Sequence, residues 1–372
     1  MADKSAIEWT DATWTPIRAR YWEIQKDGSG KERIGWHCEH ASEGCRFCYA
    51  EGFNRRLGTG LDFKPGELFR EEKRGYKNGE VKLFLDEEML TAPLRWKKPR
   101  MIFVCSMTDL FADFVPDEWI DRMFAVMARS RHHTFQVLTK RAARMRAYLA
   151  RFKPDGQGWI TPNGEDGYQS RAPLDPKRWP LPNVWLGVSA ERQQEADERI
   201  PELLATPAAI RFVSAEPLLG PIDFYETSAA MPVEGHSWKN GPILQGVDWI
   251  IAGGESGPSA RPMHPAWARS IRDQCHAAGV SFFFKQWGEW APQIGAVDGW
   301  MIDDDPEISR FDHREWENER WSEPFRPMWC DWQDGNYDEE QCVSRIGKKR
   351  AGRLLDGVEH NAMPGPREVP AL

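Results

Sequence analysis

Three cysteines, Cys38, Cys45 and Cys48, fall within eleven residues of the stretch GWHCEHASEGCRFCYAE, and no fourth follows nearby. A disulfide would leave one thiol over. A structural zinc takes four ligands, and a Cys3His set in which His37 or His40 joins the three thiolates would close such a site. Thiolates also hold iron–sulfur clusters, where four cysteines ordinarily close every iron. Three would leave one iron of a 4Fe–4S cube open to a small chelating molecule. Both chemistries stay open on the loop alone.

The elements that must position this loop follow one pattern from residue 101 onward. Short apolar runs, MIFVC (101–105), TFQVL (134–138), VWLGV (184–188), IRFV (210–213), VDWIIA (247–252) and VSFFF (280–284), each end on polar residues. Near-continuous apolar runs suit parallel strands buried on both faces. Between them lie helix candidates: PDEWIDRMFAVMARS with an apolar stripe of Ile120, Met123, Phe124 and Met127, then LTKRAARMRAYLA, ERQQEADERIPELLA and PAWARSIRDQCHAAG, the last ended by Gly279. Alternating strands and helices predict an α/β fold, a partial or complete parallel (β/α) barrel with its site at the strand C-termini; a doubly wound open sheet is the alternative. Residues 18–34, 58–80, 152–180 and 222–246 lack periodicity and read as long loop insertions. The expected division is a barrel over 1–290, with the cysteine loop at 37–49, and an irregular C-terminal appendage over 291–372 that packs on it.

Several strand ends carry residues able to do chemistry. Thr108 and Asp109 follow the first run; Asp109 could equally cap the next segment. Lys140 and Arg141, with Arg144 and Arg146, form a basic cluster, as do Arg95, Lys97, Lys98 and Arg100 around Trp96. Basic residues among aromatics can track phosphates and stack bases, and can equally be a solvated helix face. Ser189, Glu191 and Glu216 could bind a ribose or substrate, or serve as ion-pair partners. Gly253, Gly254 and Glu255 suit close approach to a ligand, with Glu255 on an ammonium or ribose hydroxyl, or else a tight βα turn. Trp287 could floor a pocket, though packing is the ordinary task of a tryptophan. Cys105 and Cys275 read as buried small hydrophobes, and Cys330 with Cys342 as half of a second metal site.

The quoted motifs also carry a resemblance. Cys45-Arg46-Phe47-Cys48 is similar to the second half of the radical S-adenosylmethionine (SAM) motif, with an aromatic before the third cysteine; six residues separate Cys38 from Cys45 where three are usual. SMTDLF and VLTKR resemble strand-end motifs of spore photoproduct lyase-like radical-SAM proteins, in the same order after the cysteines. With WTDATW, RFVSAEPLLG, GGESGPSARPM and FFFKQWGEW, the stretch from Trp9 to Trp290 resembles a phage and bacterial three-cysteine family of no settled activity. The resemblance implies a radical-SAM barrel and a 4Fe–4S cluster on Cys38, Cys45 and Cys48. It further implies SAM as cofactor, Thr108 and Asp109 near the SAM amino group, an electron donor such as flavodoxin or ferredoxin, and a nucleic-acid substrate. Asp109, Lys140 and Glu216 are the candidate catalytic residues. A zinc-stapled binding module and a metal-dependent hydrolase using Asp109, Glu216 and Glu255 are the competing classes.

Composition bounds these readings. The chain has 372 residues, 41% hydrophobic and 28% charged, as expected of a globular protein. Seven cysteines do not form a secreted disulfide scaffold. With neither an apolar run of about 18 residues nor a signal-peptide pattern, a cytoplasmic location without membrane partners is expected. The net charge of −8 excludes a protein that coats nucleic acid non-specifically, but leaves room for a local basic surface.

Overall fold

The computed structural model describes residues 5–25, 27–63, 81–154, 160–162, 179–225, 243–292, 312–317, 319–323 and 342–365. The chain forms two units. One comprises Met1–Val188, Ala205–Ile210 and Pro366–Leu372; the other comprises Ser189–Leu204 and Arg211–Gly365.

The first unit opens with β1 (Ala12–Trp14), taken from the WTDATW motif. A three-stranded antiparallel sheet follows, in the order β3 (Gly30–Gly35), β2 (Ile17–Ile24), β4 (Lys82–Leu85). Residues 18–34, expected to be a loop, are therefore mostly strand. The cause is visible in IRARYWEI, where Ile17, Ala19 and Tyr21 alternate inward and are buried while Arg20 and Trp22 face out. Helix α1 (Tyr49–Leu57) leaves the cysteine loop, and α2 (Glu87–Leu90) is capped by the Asp86 carboxylate, which accepts from the Met89 N–H.

Then come β5 (Met101–Val104), α3 (Asp117–Arg129), β6 (Thr134–Thr139), α4 (Ala142–Leu149), the small pair β7 (Phe152–Pro154) and β8 (Ile160–Pro162), and β9 (Val184–Ser189). β1–β5, β5–β6 and β6–β9 pair in parallel, with Ile102 opposite Ala12 and Phe135 opposite Val184. The α3 stripe of Ile120, Met123, Phe124 and Met127 is buried as its spacing predicts.

The second unit carries α5 (Gln193–Leu204), β10 (Ile210–Ala215), β11 (Trp249–Gly253), α6 (Pro265–Ala278) and β12 (Ser281–Gln286), with parallel β10–β11 and β11–β12 pairs. Gly279 takes φ 68° at the end of α6, the left-handed cap its position predicts. An antiparallel sheet joins β13 (Trp290–Pro292), β14 (His313–Glu317), β15 (Arg320–Trp321) and β16 (Cys342–Arg345), followed by the hairpin β17 (Leu354–Leu355) and β18 (Val358–Glu359). The segment after β18 closes the β12 edge. Phe284 N–H donates to the His360 carbonyl at 2.9 Å and Ala362 N–H to the Phe282 carbonyl at 3.2 Å, which removes an exposed pairing template.

In the sheet the parallel strands stand in the order β1-β5-β6-β9-β10-β11-β12. A doubly wound sheet reverses its strand order at a switch point. This order never reverses, which is the winding of a (β/α) barrel. Among the described residues β12 is not paired back to β1, so the α/β expectation holds in its partial-barrel form.

Candidate functional site

The cysteine loop is fixed at both ends by one asparagine. Asn54, fully buried on α1, accepts the Trp36 N–H at 2.9 Å and the Thr59 N–H at 3.1 Å, and donates to Thr59 Oγ1 at 2.8 Å and the Leu61 carbonyl at 3.0 Å. Gly35 and Gly58 allow this approach, since a Cβ at either would meet Asn54 Oδ1 within 2.5 Å. Inside the loop, a 3-10 turn over Glu43–Cys45 leads to Cys48 at the N-cap of α1.

The three thiols lie close enough to sense one another. Burial pushes the Cys38 thiol up, followed by the negative charges of Asp109, Cys48 and Cys45, against the pull of Arg141. Burial also raises Cys48, where the Ala50 and Glu51 backbone donors and the Lys140 ammonium pull the other way and Cys45 pushes with burial. Cys45 Sγ accepts the Ala41 N–H at 3.4 Å. Two of the sulfurs thus receive backbone donors, and two cations oppose the negative charge of the set. Burial here disfavours the free thiolate anion at Cys38 and Cys48.

The two histidines differ. His40 Nε2 is 3.1 Å from Glu51 Oε2, and the buried Glu51 also accepts from Arg55 Nη2 and the Phe63 N–H, each at 3.0 Å. His40 is therefore tied to an anchor of the loop. His37 is buried against Phe114, with ring centroids 4.8 Å apart; its Nε2 has no hydrogen-bond partner and stands 4.0 Å from a Glu39 carboxylate oxygen. Burial lowers its pKa. Its carbonyl accepts from Thr108 Oγ1 at 2.6 Å, which joins the cysteine loop to the turn after β5.

Asp109 organises the strand ends. Oδ1 accepts from the Phe111 N–H at 2.9 Å and Thr139 Oγ1 at 2.7 Å; Oδ2 accepts from the Lys140 N–H at 3.0 Å and Arg141 Nη1 at 3.3 Å. Arg141 Nη2 donates to the Glu39 carbonyl at 3.1 Å, and Lys140 Nζ reaches Ser42 Oγ at 3.3 Å. One buried carboxylate thus holds the Arg141 guanidinium and the backbone N–H of Lys140, the two residues whose cations reach the cysteine loop. Cys105 was expected only to fill space. It is buried, as expected, but takes φ 57°, and burial with the charges of Asp109 and Cys38 raises its pKa. A non-glycine residue in the left-handed region at a strand end beside a cysteine loop is the kind of strain found at sites of function. The sequence gives no sign of it.

The strand-end residues of the second unit are engaged internally. Glu255 accepts three bonds from Arg261, two of them from its guanidinium, at 2.7–2.9 Å. A Cβ at Gly254 would come within 1.8 Å of the Trp287 carbonyl oxygen, so this glycine serves a close approach of the chain to itself. Gly253 abuts Glu216 Oε1, and that oxygen is 2.9 Å from Lys285 Nζ. The Ser189 carbonyl accepts from Arg199, whose guanidinium also pairs with the buried Glu191 at 3.1 Å. Trp287 is buried and donates to the Leu354 carbonyl.

Within the basic cluster after β6, Arg144 is likewise engaged internally, donating to the Ala112 and Val115 carbonyls and to Asp117. Cys330 and the side chain of Cys342 lie outside the described residues. Among the described residues no group of three or more His, Cys, Asp or Glu side chains is arranged to hold a metal ion, and no helix is long and apolar enough to cross a membrane.

A family model described as protein of unknown function (DUF5131) matches residues 33–364. The chain belongs to this family. The DUF5131 match takes in the end of β3, the cysteine loop and the strand ends of both units. No curated protein and no solved structure matches the chain. The family carries no assigned activity, so any function is argued from the residues.

Proposed function

We propose that Cys38, Cys45 and Cys48 hold a 4Fe–4S cluster with one iron open to SAM, and that the chain is a radical-SAM-type enzyme acting on a nucleic-acid base. The observation that carries the reading is a loop bearing Cys38, Cys45 and Cys48 that is anchored by the buried Asn54 and bonded by Lys140 at Ser42 and by Arg141 at the Glu39 carbonyl. The three thiols offer one donor for each of three irons of a cube, though their side chains as they stand are not gathered into a metal-holding group. The resemblance of SMTDLF and VLTKR to radical-SAM strand-end motifs supports the same choice.

The chemistry such a cluster supplies when bound is one-electron cleavage of SAM to methionine and a 5′-deoxyadenosyl radical, which takes a hydrogen atom from the substrate. The chain's own contribution is positioning and charge. The Ala41, Ala50 and Glu51 N–H groups point at sulfur, and Lys140 and Arg141 offset the negative charge of the thiolates. Asp109 holds the Arg141 guanidinium and the Lys140 backbone N–H, and Thr108 holds the loop at His37. Reduction calls for an external donor of the flavodoxin or ferredoxin class. The roles expected for Ser189, Glu216, Gly253, Gly254 and Glu255 are not carried into this proposal, because the partners described for them are internal.

Incubation with SAM and dithionite under anaerobic conditions tests it, with 5′-deoxyadenosine measured by chromatography. The expected result is product from the native chain and none from Cys45→Ala. Equal product from both sinks the three-cysteine assignment.

A further inference from the structure

The β3-β2-β4 sheet turns one face inward and leaves the other to solvent. Ala19 and Tyr21 pack with Leu61 and Val81 on the inner face. The register places the outer residues in rows: Arg18 beside Phe84, Arg20 between Ile34 and Lys82, and Trp22 opposite Glu32. Trp22 is 54% exposed and Ile34 44%. The indole of Trp22 lies over Gly30, where a Cβ would meet its Nε1 at 2.0 Å. Arg20 stacks on Phe84 at 4.1 Å, and Arg18 on Trp36, one alternation beyond β3, at 4.8 Å. Arg18, Arg20 and Lys82 share this face with two acids, Glu32, which stands 3.6 Å from Arg20, and Asp86, one alternation beyond β4, whose charge acts on Arg18.

We propose that this face binds a single nucleic-acid strand, with bases stacked on Trp22 and Trp36 and phosphates on Arg20 and Lys82. Flat aromatics interleaved with cations are what a single strand needs. Lys82 and the half-exposed Arg20–Glu32 pair are groups that the core of a protein interface disfavours. The acidic chain as a whole repels phosphate, which confines binding to this local surface. β3 then runs through Trp36 into Cys38, so a strand lying on this face is led to the cysteine loop. The inference deepens the substrate part of the proposed function and rests on that reading only for its purpose, not for the binding.

Fluorescence anisotropy tests it with the full chain, a labelled oligothymidylate of about 20 nucleotides, and a duplex of the same length. Two phosphate contacts predict a log–log salt slope near about −1.4 between about 50 and 200 mM salt. Trp22→Ala is expected to raise Kd by about 5- to 150-fold, while Trp22→Phe keeps most of the affinity. Arg20→Glu should weaken binding and flatten the slope. No binding at about 50 mM salt, tighter binding of the duplex, or a folded Trp22→Ala within about twofold of the native chain overturns the proposal. Iron is measured on the same samples. A chain that binds the strand but carries no iron sinks the cluster reading alone, and one that carries about four irons but ignores the strand sinks this one.

Discussion

Asp109→Ala separates a positioning acid from a reacting one. The carboxylate accepts from four donors, two of them backbone N–H groups of Phe111 and Lys140 and one the Arg141 guanidinium. Each buried donor left without an acceptor costs about 1–3 kcal/mol, and breaking a buried ion pair costs about 3–5 kcal/mol. These overlap, because Arg141 keeps the Glu39 carbonyl and the Thr139 hydroxyl can turn elsewhere, so a total of about 3–5 kcal/mol is expected. For a unit of this size that corresponds to a fall of about 6–20 °C in the unfolding midpoint. Circular dichroism on heating reads it directly, with near-ultraviolet signal following the tryptophans beside the loop. If Asp109→Ala loses all activity while its midpoint stays within about 2 °C of the native value, Asp109 acts on substrate and the positioning account is wrong.

Three further outcomes are expected. Gly254→Ala drives a Cβ to 1.8 Å from the Trp287 carbonyl oxygen, a backbone clash that should exceed the roughly 1–3 kcal/mol of ordinary overpacking. Gly52→Ala on α1, where a Cβ meets nothing within 4 Å, should instead stabilise by about 0.5–1 kcal/mol; urea midpoints of the pair check both. Burial, with His132 beside it, holds the His133 pKa below its ordinary value. The unfolded chain then takes up a proton that the folded chain refuses, so this stability is full above about pH 6.5 and is lost as the pH falls below it. His133→Gln should flatten that slope in urea titrations at two pH values; an unchanged slope contradicts it.

The buried parallel strands and their helices were legible because burial on both faces writes continuous apolar runs, and a helix stripe repeats every three or four residues. MIFVC, TFQVL and VSFFF became β5, β6 and β12, and Ile120 to Met127 became the buried face of α3. The strand β1 escaped notice because it is three residues long. The β2–β3 hairpin is hard to read although IRARYWEI alternates cleanly, since its outward residues are arginines and a tryptophan, which also suit a loop. The cysteine triplet and the strand-end acids were visible as residue types, but their partners were not. That Asp109 serves Lys140 and Arg141, that Glu255 is held by Arg261, and that Cys105 lies near Cys38 depend on contacts across many residues that no local pattern encodes.

The central claim is that the loop around Cys38, Cys45 and Cys48 is an open iron–sulfur centre. Iron, sulfide and zinc content of anaerobically prepared chain tests this most directly. The account predicts a brown protein with about four irons and four sulfides per chain, both lost in Cys45→Ala. A colourless protein carrying about one zinc per chain, retained under the same handling, contradicts it.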